Sequence, residues 1–356
     1  MAEGFPTPSV SGSELTADSG ERLQLAAPAL APLTGSLAPT ATGSPDGHLI
    51  AYNTWRELVE IDQEQSLEEQ GIESGTAVGI PVVRILDTSS GSDTALEDGS
   101  LSPAFRWDGA LAYVRGVEPA YRVNERYLGQ IVVRDQLDGD PIVWLDEPGR
   151  YVVYGWSGDR LIAYRIAEGE RLEVLVLDAP GVVRTLRDGA GVIAIGPTGR
   201  DILLVDSTPP AQIRLLELAS GKEVASLDLD AVTAVDGSPV TWASYSGDWR
   251  GDRAVATGGP GVLVLALHGG RIAIESAHTI DLKRYPGGIV EPRFVDASGE
   301  QIVAWSLKSL EAGSESVLDV GLVCDLAASV CEETEPGDPR VWHRIVYSTS
   351  KVGEHQ

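Results

Sequence analysis

Histidines are the first residues to test for chemistry, because they serve most often as metal ligands and general bases. The five histidines are scattered and form no His-x-His or His-Glu-x-x-His motif. They are His48, His268, His278, His343 and His355. We interpret each as a surface or strand residue rather than as a ligand.

Carboxylates need the same test, because paired acids support acid–base or metal chemistry. Asp46, Asp108 and Asp159 each lie at or beside a glycine turn. One acid per turn is more typical of turn geometry than of a catalytic pair. A second group could hold calcium but lacks the spacing of a helix–loop–helix calcium loop; it comprises Asp135, Asp138 and Asp140.

Motifs for covalent or nucleotide chemistry are absent from the sequence. It contains no Gly-x-Ser-x-Gly elbow, no Gly-x-Gly-x-x-Gly opening a helix and no Walker-type Gly-Lys-Ser/Thr. We therefore predict no catalytic residue, no cofactor-binding residue, no metal-binding residue and no enzymatic activity. We expect no bound cofactor.

The composition and net charge limit the classes of partner that we expect. The 356 residues are 43% hydrophobic, which is ample for a core, and carry a formal net charge of −26. Such a charge disfavours phosphate backbones, so we expect no nucleic acid partner. The sequence contains no apolar run long enough for a transmembrane helix and no visible signal peptide. We expect a monomer, either cytoplasmic or separated from its leader.

The two cysteines favour a protein that has been separated from its leader over a cytoplasmic one. Cys324 and Cys331 flank a short segment of a hairpin that runs from Val317 to Val330. Cysteines on facing strands can meet disulfide geometry, and the alternative is two buried reduced thiols. A disulfide indicates an oxidising compartment, so we expect an extracytoplasmic protein: periplasmic, secreted or tethered to the envelope.

The elements that would position any site are short strands that follow glycine turns. Six such turns recur at intervals of 41 to 62 residues. A repeat of this length with β content predicts a propeller, built here from six blades. The structural turn glycines are Gly47, Gly109, Gly158, Gly199, Gly251 and Gly299.

Each repeat is predicted to contain a strand entering the turn, a strand leaving it and a third strand after a loop. An insertion at Arg56–Gln70 lengthens the first repeat and is either a functional loop or decoration. Strands before the first repeat and at Arg340–Tyr347 are expected to close the ring, unless they form a seventh blade. We therefore predict an all-β fold.

The predicted organisation has one domain. Residues 1–21 are expected to form a disordered tether, residues 22–348 a single β-propeller and residues 349–356 a flexible tail. Trp107, Trp156 and Trp249 precede turn glycines. They are expected to pack between blades, with an aromatic ligand-binding ring as the alternative.

The stretch Ser44-Pro45-Asp46-Gly47, followed by Ile50-Ala51-Tyr52, resembles the repeat of TolB-like six-bladed propellers, also called WD-repeat-like propellers. The resemblance spans residues 36–347, is strong in the first repeat and is weak in the last two. It implies an envelope protein that binds a protein or peptide across one face or at the channel mouth. Related propellers gate serine peptidases, but no peptidase domain follows here.

The leading interpretation is a non-catalytic, extracytoplasmic scaffold for a protein or peptide partner. An alternative from another class is a propeller hydrolase or lyase that uses carboxylates at the channel mouth, with or without a divalent ion. A third is a structural spacer between an anchor and another envelope component.

Overall fold

A computed structural model describes residues 14–16, 22–24, 41–57, 77–122, 127–206, 211–229, 246–258, 261–279, 290–295, 300–309, 317–328, 330–334 and 345–347. Within these ranges the regular structure consists of 28 β-strands and one 3-10 turn at Glu168–Glu170. The fold is therefore all-β, as predicted. No helix among the described residues is long and apolar enough to cross a membrane.

The chain divides into two compact units, residues 1–185 with 344–356 and residues 186–343. The first unit begins with an isolated ladder of β1 (Glu14–Thr16) and β2 (Arg22–Gln24), so three residues of the predicted tether are paired.

Three antiparallel four-stranded meanders make up most of the first unit. Sheet 1 contains β3 (Ala41–Gly43), β4 (Leu49–Arg56), β5 (Ala77–Asp87) and β6 (Asp93–Asp98). Sheet 2 contains β7 (Ser100–Phe105), β8 (Leu111–Gly116), β10 (Gly129–Arg134) and β11 (Ile142–Gly149). Sheet 3 contains β12 (Tyr151–Ser157), β13 (Arg160–Ile166), β14 (Leu172–Ala179) and β15 (Val182–Asp188).

Two further strands extend sheet 1. The short β9 (Tyr121–Arg122) leaves the middle of sheet 2 and pairs antiparallel with the start of β5. The C-terminal β28 (Ile345–Tyr347) pairs parallel with β3, so the predicted strand at the end of the chain joins the first sheet.

The second unit repeats the same meander three times. Sheet 4 contains β16 (Ala190–Ile195), β17 (Asp201–Asp206), β18 (Gln212–Glu217) and β19 (Glu223–Asp228). Sheet 5 contains β20 (Ser246–Arg250), β21 (Arg253–Gly258), β22 (Gly261–His268) and β23 (Arg271–Thr279). Sheet 6 contains β24 (Val290–Phe294), β25 (Gln301–Ser309), β26 (Val317–Asp325) and β27 (Val330–Glu333).

The core of each unit lies between neighbouring sheets. In sheet 2, Leu111 and Tyr113 pack toward sheet 1, while Ala112 and Val114 pack toward sheet 3. All four are at most 1% exposed. Because both faces of the strand are covered, β8 is a continuous apolar run rather than an alternating one. Each fully buried large aliphatic side chain contributes roughly 1.5–3 kcal/mol to folding.

The six predicted repeats thus correspond to six four-stranded meanders among the described residues. The sequence pattern predicts three strands per repeat, and the structure adds a fourth. Fourth strands such as β15 are mostly exposed, so they carry little apolar signal. Closure of a ring remains a prediction. Most of the first-repeat insertion, from residue 58 to 70, and the sixth turn glycine, Gly299, lie outside the described residues.

Candidate functional site

Each meander has two different ends. The turns between its first and second strands and between its third and fourth strands lie together; we call this the turn end. The connection between the second and third strands and the entry to the sheet lie at the opposite, loop end. In the first unit, turn-end connections such as 44–48 are short, whereas loop-end connections 57–76 and 117–128 are long.

At the turn end the repeat residues are used by the turns themselves. Gly47 has φ +73° and its N–H donates to the Ser44 carbonyl at 2.9 Å. Ser44 Oγ donates to Asp46 Oδ1 at 2.5 Å, and this bond holds the pKa of Asp46 below its usual range. Positive φ recurs at Gly109, Gly158, Gly199 and Gly251. These glycines are structural, because only glycine takes this conformation at no steric cost.

The turn acids also join neighbouring turns. Both carboxylate oxygens of Asp108 accept bonds from Arg106 at 2.8 Å, and this ion pair lowers the pKa of Asp108. Asp159 Oδ1 accepts the indole N–H of Trp107 at 2.8 Å, so the turns of sheets 2 and 3 are linked. Each of these carboxylates therefore accepts a hydrogen bond that stabilises a turn.

Two of the three tryptophans before the turn glycines, Trp156 and Trp249, pack within the fold, whereas Trp107 is partly exposed. Trp156 is buried, donates its indole N–H to the Ala104 carbonyl at 2.9 Å and meets Trp144 edge-on at 5.3 Å. Trp249 donates to the Gly251 carbonyl at 2.9 Å. These contacts match the packing role expected from the sequence.

No group of three or more His, Cys, Asp or Glu side chains is arranged to hold a metal ion within the described part of the chain. Asp135, Asp138 and Asp140 therefore do not converge. His48 is exposed at a turn, and His268 lies at a turn 3.1 Å from Asp252. His278 is buried, which lowers its pKa, and contacts Ser276 at 2.8 Å. The remaining histidines, His343 and His355, lie outside the described residues.

The cysteine hairpin forms as predicted. Cys324 on β26 and Cys331 on β27 are directly opposed, with sulfurs 2.04 Å apart. The disulfide closes the third-to-fourth strand turn of sheet 6. No free cysteine occurs in the chain, since these are the two that it contains.

Buried tyrosines of two second strands anchor polar clusters against β6. Tyr52 donates to Asp93 Oδ2 at 2.6 Å, and Arg84 Nε donates to the same carboxylate at 2.9 Å. Tyr113 donates to Glu97, while Arg134 bonds both the tyrosine oxygen and Glu97. Burial raises the pKa of both phenols, so they remain neutral donors. The clusters are structural because every charge in them has a partner.

An aromatic platform lies at the loop end of sheets 1 and 2. Trp55, near the end of β4, meets Tyr121 edge-on, with ring centroids 6.3 Å apart and planes at 88°. Tyr127 follows at 6.3 Å and 41° from Tyr121. All three side chains are partly exposed. Two exposed apolar side chains flank them: Val117 is 59% exposed and Leu128 is 41% exposed.

Two glycines, Gly99 and Gly116, lie against the Tyr127 side chain of this platform. Tyr127 donates its hydroxyl to the Gly99 carbonyl at 2.6 Å, and the same carbonyl accepts the Gly116 N–H at 2.8 Å. A Cβ on Gly116 would collide with the Tyr127 hydroxyl, and one on Gly99 would lie 2.9 Å from it. Burial raises the pKa of Tyr127, which keeps the phenol protonated as a donor. The ring is therefore held in one place.

Backbone pairing brings the rings of different sheets together. Tyr121 of β9 pairs with Gly79 of β5, while Trp55 of β4 pairs with Pro81 of β5. The two aromatic residues are therefore held next to the same strand. The Val117 N–H donates to the Leu128 carbonyl at 2.8 Å and closes the base of the 117–128 connection.

Charged residues lie close to the platform residues along the chain and on the paired strands. Glu57 and Asp98 have side chains that are 72% and 39% exposed, and Arg56 lies between them, 2.6 Å from Asp98. Glu118 is exposed, and Arg115 contacts Gln130 at 3.1 Å. The described rim therefore contains three acids and two arginines.

Two backbone outliers accompany the platform. The non-glycine residues with positive φ in the described ranges are Glu57, at 56°, and Ser102, at 54°. Glu57 follows β4 at the loop end, and Ser102 is the third residue of β7, which starts there. Such conformations cluster at functional sites.

The sequence interpretation missed the platform. The insertion that it identified in the first repeat begins directly after Trp55. A further signal is available: an aromatic residue precedes the second-to-third strand connection of the first repeat, and two lie within that of the second. Trp55, Tyr121 and Tyr127 occupy these positions.

Comparisons with known proteins find similar folds at low identity. No family model matches the sequence, and neither does any curated protein. The β-propeller domain of the trilobed protease from Pyrococcus furiosus is 13% identical with a TM-score of 0.47, covering 94% of this chain and 99% of that one. An acylaminoacyl peptidase from Pyrococcus horikoshii is 13% identical with a TM-score of 0.48, covering 89% and 46%.

The β-propeller domain of Cps50 (Swd1) from Myceliophteria thermophila is 11% identical with a TM-score of 0.45, covering 84% of this chain and 96% of that one. These similarities indicate no activity, because the identities are far below 25%. The fold description rests on strand pairing alone.

Proposed function

We propose that the protein is a non-catalytic binding module that takes a peptide segment of a protein partner on the platform of Trp55, Tyr121 and Tyr127. The proposal includes two further points: the fold is a TolB-like propeller, and the protein lies outside the cytoplasm. The observation that carries it is the partly exposed aromatic cluster, in which Tyr127 packs on two glycines, with exposed Val117 and Leu128 nearby in the chain.

Physical reasons favour binding at this end. Rigid aromatic rings provide a large contact area at low cost in conformational entropy and are enriched in the energetic centres of interfaces. The remaining aromatic contacts described at the turn end satisfy the fold itself, as with the indoles of Trp156 and Trp249. The rings of the platform are partly exposed, and this exposed surface is where we propose that a partner binds.

Selection from a random peptide library tests the proposal. The immobilised full chain is used to select binding peptides. The Kd of each selected peptide is then measured for the wild type, Trp55→Ala and Trp107→Ala. Removing Trp55 is expected to weaken binding by roughly tenfold or more, as for an interface anchor. Trp107→Ala is the matched control, because it removes a partly exposed tryptophan from the turn end of the same unit.

Circular dichroism and thermal unfolding establish that both variants fold. Binders that lose affinity for Trp55→Ala alone support the proposal. Binders that do not distinguish the two variants, or the absence of any enriched peptide, contradict it.

The proposed location outside the cytoplasm has its own test. It is supported by the disulfide between Cys324 and Cys331, which oxidising compartments preserve. Thiols are titrated in protein taken from its native host and denatured without reductant. We expect no free thiol, and two free thiols per chain would contradict this location.

A further inference from the structure

The fifth sheet carries a hairpin turn whose sequence differs from the other repeats. Strands β20 and β21 are joined by two residues, Gly251 and Asp252, and Arg250 directly precedes them. We call these three residues the Arg-Gly-Asp tip. The equivalent turn of sheet 3 also consists of Gly and Asp, but Ser157 precedes them. The tip of sheet 5 therefore places a guanidinium and a carboxylate on either side of one glycine.

Both charged side chains of the tip are exposed. The side chain of Arg250 is 48% exposed and that of Asp252 is 57% exposed. A Cβ on Gly251 would meet no atom within 4 Å, so the tip projects into open space. The opposite residue, Arg253, is engaged instead, because its Nε and Nη2 donate to Glu275 at 2.8 and 2.9 Å. Arg250 and Asp252 are therefore the charged pair that the hairpin presents.

The contacts that these two side chains make within the chain are weak. Arg250 uses its Nε to bond Asp248 at 3.2 Å, and its two terminal nitrogens bond no residue in the described ranges. Asp252 Oδ2 lies 3.1 Å from His268 Nε2, at a position where both side chains are more than half exposed. Exposed ion pairs contribute little to stability, so a partner can replace these contacts at low cost.

The backbone of the tip is held in one conformation. Gly251 has φ +57°, which suits the first position of a two-residue hairpin turn. Trp249 donates its indole N–H to the Gly251 carbonyl at 2.9 Å, and a Cβ on Gly196 of sheet 4 would lie 3.2 Å from the Trp249 ring. The Leu267 N–H donates to the Asp252 carbonyl at 2.7 Å. A loop held in this way loses less conformational entropy on binding than a free peptide does.

We propose that the Arg-Gly-Asp tip is a recognition site for a receptor that presents a divalent metal ion beside an acidic pocket. A carboxylate oxygen of Asp252 is the kind of hard ligand that such an ion takes. The planar guanidinium of Arg250 forms bidentate bonds with carboxylates, which an acidic pocket supplies. This is a second site, on the second unit, and it is independent of the aromatic platform. It rests only on the proposed location outside the cytoplasm.

A purified integrin ectodomain that binds isolated Arg-Gly-Asp peptides is a suitable probe, used in buffer containing Mn²⁺. Biolayer interferometry with the immobilised full chain is expected to detect binding of this ectodomain. A chelator of divalent ions is expected to abolish the binding, because the carboxylate of Asp252 then has no metal ion to bind. An excess of cyclic Arg-Gly-Asp peptide is expected to compete, whereas cyclic Arg-Gly-Glu peptide is expected not to.

Variants that keep the net charge test the geometry of the tip. Asp252→Glu moves the carboxylate by one methylene and is expected to weaken binding by at least roughly tenfold. Arg250→Lys keeps the charge but removes the planar fork, and is also expected to weaken binding. Asp159→Glu is the matched control, because it makes the same change in the equivalent turn of sheet 3. Circular dichroism and thermal unfolding establish that each variant folds.

The outcomes separate this inference from the proposed function. It is wrong if the wild type does not bind the ectodomain, if binding survives the chelator, or if Asp252→Glu and Asp159→Glu bind equally well. Binding that is lost in Trp55→Ala but retained in Asp252→Glu would assign the receptor to the platform, so the binding module would stand and this inference would fail. The thiol titration tests the location separately, since the ectodomain assay does not depend on it.

Discussion

Ser102 is a strained residue within β7. Its φ is +54° although it carries a Cβ, its side chain is fully buried and its N–H donates to Asn53 Oδ1 at 2.7 Å. Its hydroxyl has no hydrogen-bond partner among the described residues. The strand register between β7 and β8 shifts from Leu101 to Ala104, so Ser102 lies in a bulge.

Ser102→Gly is expected to raise the free energy of unfolding by about 1 kcal/mol. Glycine adopts positive φ without the Cβ penalty, and the unpaired hydroxyl is removed; the larger entropy of the unfolded glycine chain offsets part of this gain. Urea unfolding measures the change. Ser102→Ala, which keeps the Cβ, is expected to gain less. A Ser102→Gly protein less stable than the wild type would overturn this explanation.

Asp108 provides a pH-dependent contribution to stability. Arg106 and the Ala110 N–H bond its carboxylate and lower its pKa from 3.8. A carboxyl with a lowered folded-state pKa stabilises the fold above its unfolded-state pKa, and this contribution is lost as the pH falls through the folded-state value.

Asp108→Asn is therefore expected to be less stable than the wild type near neutral pH, by about 0.5–1 kcal/mol because the side chain is partly exposed. The difference should shrink as the pH falls below about 4. Urea unfolding of both proteins at about pH 7, about pH 5 and about pH 3 checks this. A difference that is constant or grows in acid would refute the ionic role of Asp108.

At the scale of elements, the sixth sheet ends in the disulfide hairpin of β26 and β27. Cys324 is 3% exposed and packs with Val255, Ile302 and Leu322, whereas Cys331 lies on the short outer strand. The two cysteines are seven positions apart. The cross-link restricts the unfolded chain and ties the fourth strand to the core.

Reduction of the disulfide is expected to lower the free energy of unfolding by about 2.5 kcal/mol, the loop-entropy value for a loop of this length. Urea unfolding with and without reductant gives the change, and hydrogen exchange is expected to increase in β27. Cys331→Ser is the control, since it should match the reduced protein and respond no further to reductant. Unchanged stability on reduction would show that the hairpin is held by its packing.

At the scale of the molecule, two units each stack three meanders around buried apolar faces. In each unit the second strands are buried and the fourth strands are largely exposed, as in β8 and β15. The turn end is occupied by contacts that stabilise the fold, while the loop end of sheets 1 and 2 carries the aromatic platform.

Much of this architecture depends on residues that are close together in the chain, so it could be predicted from the sequence. Turns at Gly47 and Gly109 depend on a few adjacent residues, because Asp46 and Asp108, with Pro45 in the first turn, favour the turn backbone and glycine supplies positive φ. The buried second and third strands follow from continuous apolar runs, and Cys324 and Cys331 lie close enough in sequence for one hairpin to unite them. These signals determined the all-β class, the six meanders and the disulfide.

The fourth strands and the aromatic platform depend on tertiary structure and could not be predicted from the sequence. The fourth strands are half exposed, so their sequences do not distinguish strand from loop. The platform joins Trp55 with Tyr121 and Tyr127 through the pairing of β9 with β5, and such long-range pairing leaves no periodic signal in the chain. Gly99 and Gly116 gain their role only when Tyr127 packs on them. The sequence by itself therefore determined the repeated scaffold, because its causes are local, and the folded chain decided where aromatic side chains meet.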